Sequence, residues 1–63
     1  DMKFITRRYY GNGWYWAKRI VAGVRYEVTI YDGMNIYCEN IRCASLSEAY
    51  KYCQARIDAP YSI

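Results

Sequence analysis

Apolar and polar side chains alternate in short runs along the first two thirds of the chain. The runs are broken by turn signals at Gly11-Asn12-Gly13, Ala22-Gly23 and Asp32-Gly33. They are rich in Tyr, Trp, Val, Ile and Thr, residues that suit a pleated, half-buried surface. Period-two alternation between such turns predicts consecutive hairpins, with strands at about 3–9, 14–20, 24–31 and 34–39. A different period follows. Leu46, Ala49, Tyr50, Cys53 and Ile57 recur at helical spacing and form one apolar stripe. Ser45-Leu46-Ser47-Glu48 has the form of a capping box, and Pro60 marks a stop, so a helix is expected at about 46–58. The fold class is therefore α+β in one domain spanning residues 1–63. A three- to four-stranded antiparallel meander is expected, packed on one face by a single C-terminal helix.

Side-chain parity gives an expected register. A three-residue loop Tyr31-Asp32-Gly33 pairs Ile30 with Met34, Val28 with Ile36 and Tyr26 with Cys38. A loop Val21-Ala22-Gly23 likewise pairs Ile20 with Val24, Trp16 with Val28 and Trp14 with Ile30. This sorts Trp14, Trp16, Ile20, Val24, Tyr26, Val28, Ile30, Met34, Ile36 and Cys38 onto the helix-covered face. Because a one-residue slip moves every side chain to the other face, this register decides what remains outside. The expected uncovered face carries Tyr15, Ala17, Arg19, Arg25, Glu27, Thr29, Tyr31, Asn35, Tyr37 and Glu39. The register of the first strand stays open, since Asn-Gly also suits a two-residue turn. Either Phe4 or Ile5 points inward, and Lys3, Arg7 and Arg8 give this segment the character of a basic arm. Ile41 and Cys43 fall out of step with Met34, Ile36 and Cys38, which predicts a bulge or strand end near Glu39-Asn40.

Composition narrows the function classes. Sixty-three residues leave room for one core, and nine Tyr, two Trp and one Phe supply its bulk. The net charge of +3 mildly favours an anionic partner. Cys38, Cys43 and Cys53 are an odd number at irregular spacing. They read as buried free thiols of a cytoplasmic protein rather than a disulfide framework. With no histidine and no Cys-x-x-Cys pair, no metal or other cofactor is expected. No apolar run approaches the roughly 20 residues of a membrane span, and no signal peptide is visible. Asp1 reads as an added residue and Met2 as the native start, which would make this a complete gene product.

Catalysis is the weakest class. A cysteine nucleophile would lack its usual histidine base, and the six acidic residues form no readable acid–base pair. Gly11-Asn12-Gly13 opens no helix, so it is no phosphate loop. The expected function is stoichiometric binding of a protein partner, or self-association, through the helix-free face. The expected contacts are Tyr15, Arg19, Arg25, Tyr31 and Tyr37, since Tyr and Arg are enriched at binding hot spots. Small phage or mobile-element inhibitors of a host machine have this form. The alternative is a nucleic-acid-binding module, with Arg7, Arg8, Lys18, Arg19 and Arg25 on phosphates and aromatic rings on bases. In element order alone the chain resembles phage-integrase arm-binding and plant AP2-type DNA-binding domains. No functional residue carries over from them. Glu27 and Glu39, on the expected face, tilt the reading toward protein. No small-molecule substrate and no membrane contact are expected.

Overall fold

The capping signal places the helix where it forms. In the computed structural model, α1 spans Leu46–Asp58, and Ser45 Oγ accepts from the Glu48 backbone N–H at 3.2 Å. Glu48 reaches back one residue further than a capping box requires, accepting from the Ala44 N–H at 3.0 Å. The structure describes residues 6–20 and 24–59; Lys3, Phe4, Ile5, the expected Val21-Ala22-Gly23 loop and Pro60 lie outside them. Among the described residues four strands precede the helix: β1 (Arg8–Tyr10), β2 (Gly13–Arg19), β3 (Arg25–Tyr31) and β4 (Ile36–Arg42). They form one antiparallel sheet in chain order, and α1 packs on β2 and β3. The α+β meander with a single C-terminal helix is thus the architecture of the protein.

The register differs from the parity expectation at both central hairpins. Tyr15 pairs with Ile30, Ala17 with Val28 and Arg19 with Tyr26, while the Ile20 N–H donates to the Arg25 carbonyl. Ile20 therefore opposes Arg25 rather than Val24. Across the next hairpin Ile30 pairs with Tyr37, Val28 with Glu39 and Tyr26 with Ile41. The cause here is Asp32. Its buried carboxylate accepts from the Met34 and Asn35 backbone N–H groups, both at 2.8 Å, and so builds a four-residue loop, Asp32–Asn35. Those N–H groups, Asn35's first, hold its carboxyl below the usual range. Gly33 takes the positive φ of 99° within this loop. No bulge interrupts β4: its seven residues pair continuously with β3, and Ile41 and Cys43 are in step with Tyr37 and Glu39. At the first hairpin Tyr10 pairs with Gly13 around the two-residue turn Gly11-Asn12, with Gly11 at φ 56°.

The core follows from this pairing. Tyr15, Tyr26, Val28 and Ile30 of the sheet lie buried against Ala49, Cys53 and Ile57 of the helix. The helix stripe is short-limbed at its centre, so the helix can sit close over rings and branched chains. Tyrosine suits this layer because its hydroxyl can leave it. Gln54 Nε2 donates to Tyr15 Oη at 2.9 Å, Arg19 Nε to Tyr26 Oη at 3.4 Å, and Tyr10 Oη to Asp58 at 2.8 Å. At the margin of the layer, Glu39 accepts from Tyr52 Oη and from Arg56, whose guanidinium also lies over the Tyr37 ring. The Tyr52 and Arg56 hydrogen bonds hold the Glu39 carboxyl below its ordinary value of 4.5. Of the three thiols, Cys53 is buried, Cys43 half-buried and Cys38 exposed, which corrects the expectation of three buried cysteines. Burial pushes the Cys53 thiol up to about 11.

Two outcomes are expected. A Cβ on Gly13 would lie 1.7 Å from the Tyr31 carbonyl oxygen. Gly13→Ala should therefore cost about 3 kcal/mol in urea denaturation, against about 1 kcal/mol for Gly11→Ala, which meets only left-handed strain. The second concerns acid. A carboxyl whose folded pKa is depressed contributes stability above its unfolded pKa and loses it as pH falls through the folded value. The urea midpoint of the wild type should fall as pH drops below about 4.5. Glu39→Gln should start less stable at neutral pH and show a shallower decline.

Candidate functional site: the helix-free face of the sheet

The corrected register exchanges the contents of the two faces. Trp14, Trp16 and Lys18 of β2 stand on the side away from α1, with Arg25, Glu27, Thr29 and Tyr31 of β3. Ile36, Cys38, Asn40 and Arg42 of β4 join them. The indoles, expected under the helix, are half-buried on the bare side, and Met34, Ile36 and Cys38 leave the core for the surface. Conversely, Tyr15, Arg19 and Tyr37 stand on the helix side, so these three proposed contacts leave the bare face. Arg25 and Tyr31 remain on it. Of the basic set, Arg7, Lys18 and Arg25 serve the bare face. Arg8 instead lies over the Tyr50 ring of the helix, 4.4 Å from its centroid.

The face is laid out in cross-strand rows. The row nearest the Gly11-Asn12 turn and the Asp32–Asn35 loop runs Tyr9, Trp14, Tyr31, Ile36. Tyr9 is 75% exposed, Ile36 61% and neighbouring Met34 63%, so this end is an open apolar surface. Its aromatic members hold one another. The Trp14 and Tyr31 rings are 5.8 Å apart and tilted by 34°, and the Arg7 guanidinium sits 4.2 Å from the Trp14 ring centroid. The next row sets Thr29 between Trp16 and Cys38, which bury it although no helix covers it. Further along, Lys18 and Glu27 form an exposed ion pair at 3.9 Å, with Asn40 beside Glu27. The last pair sets Arg25 directly opposite Arg42 beside a shallow cavity that they line with Asn40 and Ile41.

The charge of the face is one-sided. Among the described residues Arg7, Lys18, Arg25 and Arg42 meet a single carboxylate on this face, Glu27, because Glu39 lies on the helix side with Tyr52 and Arg56. Like charges directly opposite are unfavourable in a sheet, and among the described residues neither ion pair uses Arg25 or Arg42. The described carboxylates are all engaged by the protein itself: Glu27 by Lys18, Asp32 by the turn, Glu39 by Arg56, Glu48 by the helix cap and Asp58 by Tyr10. Among the described residues no group of three His, Cys, Asp or Glu is placed to hold a metal ion. No helix there is long and apolar enough to cross a membrane.

The sequence reading missed Trp14, Trp16, Met34, Ile36 and Arg42 as residues of the helix-free side. For Met34, Ile36 and Arg42 the signal available was Asp32, whose position at the head of Asp-Gly-Met-Asn marks a side-chain-closed turn; Trp14 and Trp16 moved with the β2–β3 register, which Asp32 does not set. Comparison with family models, curated proteins and solved structures gave no match for this chain.

The half-buried indoles on the bare side make the register directly measurable. Native tryptophan emission should be that of partly hydrated rings, and acrylamide should quench it to a substantial fraction of the quenching in the unfolded chain. Strongly blue-shifted emission with little quenching would place the rings back under the helix.

Proposed function

We propose that the chain is a non-catalytic binding protein that recognises a protein partner through the helix-free sheet face. The partner's matching surface carries apolar pockets at one end and acidic groups at the other. The observation that carries this reading is the open apolar end formed by Tyr9, Met34 and Ile36 around Trp14 and Tyr31. Aromatic residues, Met and Arg are the side chains enriched in protein interfaces, and large exposed apolar patches mark contact sites. Ile36 and Met34 have nothing to offer a phosphate backbone. The ring faces a base would stack on are partly taken, since Arg7 covers Trp14 and Tyr31 tilts against it. The excess of Arg and Lys favours an acidic partner by simple complementarity. A non-catalytic role is supported by the engagement of every described carboxylate within the fold.

The same charge excess is the one observation that favours nucleic acid instead, and the test separates the two. Met34→Glu and Ile36→Glu alter exposed side chains, so they leave the fold intact. In nuclease-treated extract of the producing cells, the wild type should retain a stoichiometric protein partner, with weak salt dependence. Either glutamate substitution should weaken that complex by roughly ten-fold or more. Binding to single-stranded oligonucleotides that falls steeply with salt would sink the protein reading. It would then be lost with Arg7→Ala and Arg25→Ala and indifferent to Ile36→Glu. A partner complex untouched by every bare-face substitution would sink the choice of face.

A further inference from the structure

The sheet has two unlike edges. β1 offers three residues, whereas β4 offers an uninterrupted seven, Ile36–Arg42, whose outer side meets no other described strand. Natural edges of that length are commonly blunted by Pro, Lys or a bulge. β4 has no Pro, no Lys and no bulge. Its ladder phase is fixed by two hydrogen bonds. The Cys43 N–H donates to Val24 O at 3.0 Å, and the Asn35 carbonyl accepts from the Asp32 N–H at 3.2 Å. Odd-numbered residues of this stretch therefore bond to β3, and the N–H and C=O groups of Ile36, Cys38, Asn40 and Arg42 point outward. They form a ready strand-pairing template.

We infer that β4 pairs with β4 of a second copy of this chain, antiparallel about a two-fold axis at Cys38. The occupant is chosen by self-complementarity. In this register Cys38 opposes its own copy, Ile36 opposes Asn40 and Tyr37 opposes Glu39, each pair on a common face. The outward groups of residues 36, 38 and 40 then exchange hydrogen bonds. Centring on Glu39 instead would set two carboxylates directly opposite at the closest cross-strand spacing. Glu39 gains the partner's Tyr37 ring beside it while keeping its own Arg56 and Tyr52. Small domains bury a limited share of their surface alone, and pairing of subunits is one general remedy. The product is a continuous eight-stranded sheet with both helices on one side and the two bare faces joined on the other. It is independent of the partner proposed above.

Sedimentation in reducing buffer, from low micromolar to millimolar concentration, tests this. The wild type should approach twice the chain mass at the upper end. Asn40→Pro removes an outward N–H without touching the β3–β4 ladder, and should weaken dimerisation by about ten-fold or more at unchanged circular dichroism. Cys38→Lys, at an exposed position, sets two ammonium groups face to face on the axis and should do the same. Ile36→Glu is expected to weaken partner binding and Cys38→Lys adds a charge to the same face, so Asn40→Pro, which acts through an outward backbone N–H, is the variant that separates the two interfaces. A wild type that stays monomeric throughout would overturn the inference. So would a dimer indifferent to both variants.

Discussion

The contact of Ala49, Cys53 and Ile57 with Tyr15, Tyr26, Val28 and Ile30 decides which side of the sheet is inside. A sheet this small has one helix to cover it, so one face is closed and the other is left over. The short side chains at the middle of the helix stripe bring its backbone close to the sheet. What they cover is a layer of two tyrosines and two branched aliphatics whose hydroxyls escape at the margins to Gln54 and Arg19. Two indoles would have had to end their N–H groups within that layer. On the other side they meet water, Arg7 and Tyr31 instead.

Once that contact is fixed, the distribution of charge follows. Glu39 falls on the helix side and is consumed by Arg56 and Tyr52, while Arg42, three residues on, falls on the bare side and is not. Odd and even positions of one strand thus separate an internally neutralised cluster from an unneutralised one. The bare face inherits an apolar end and a basic end from the same alternation. Its chemistry is a by-product of parity as much as of composition.

The sequence made the elements legible and the register illegible. Ser45, Glu48 and the spacing of Ala49, Cys53 and Ile57 located α1 to the residue, because capping and a 3.6-residue period are local signals. Four strands were legible from their turns. Register was not, for two physical reasons. Hydrophobic ranking treats tryptophan as core and tyrosine as neutral, whereas burial here depends on where each polar tip can go. Loop length at Asp32 was set by a side chain bonding its own backbone, which parity of apolar residues does not see. Arg25 and Tyr31 were placed on the open face correctly. Tyr15, Arg19 and Tyr37 were not, since their strands slipped by odd numbers of residues.

The three thiols give the protein a built-in gauge of its own opening. Cys38 is available to a thiol reagent in the native fold, whereas Cys53 lies between helix and sheet and keeps its proton far above neutrality. Its modification must wait until the helix lifts away. The ratio of the two labelling rates then reports, without any added probe, how often the layer that fixes the whole arrangement comes apart.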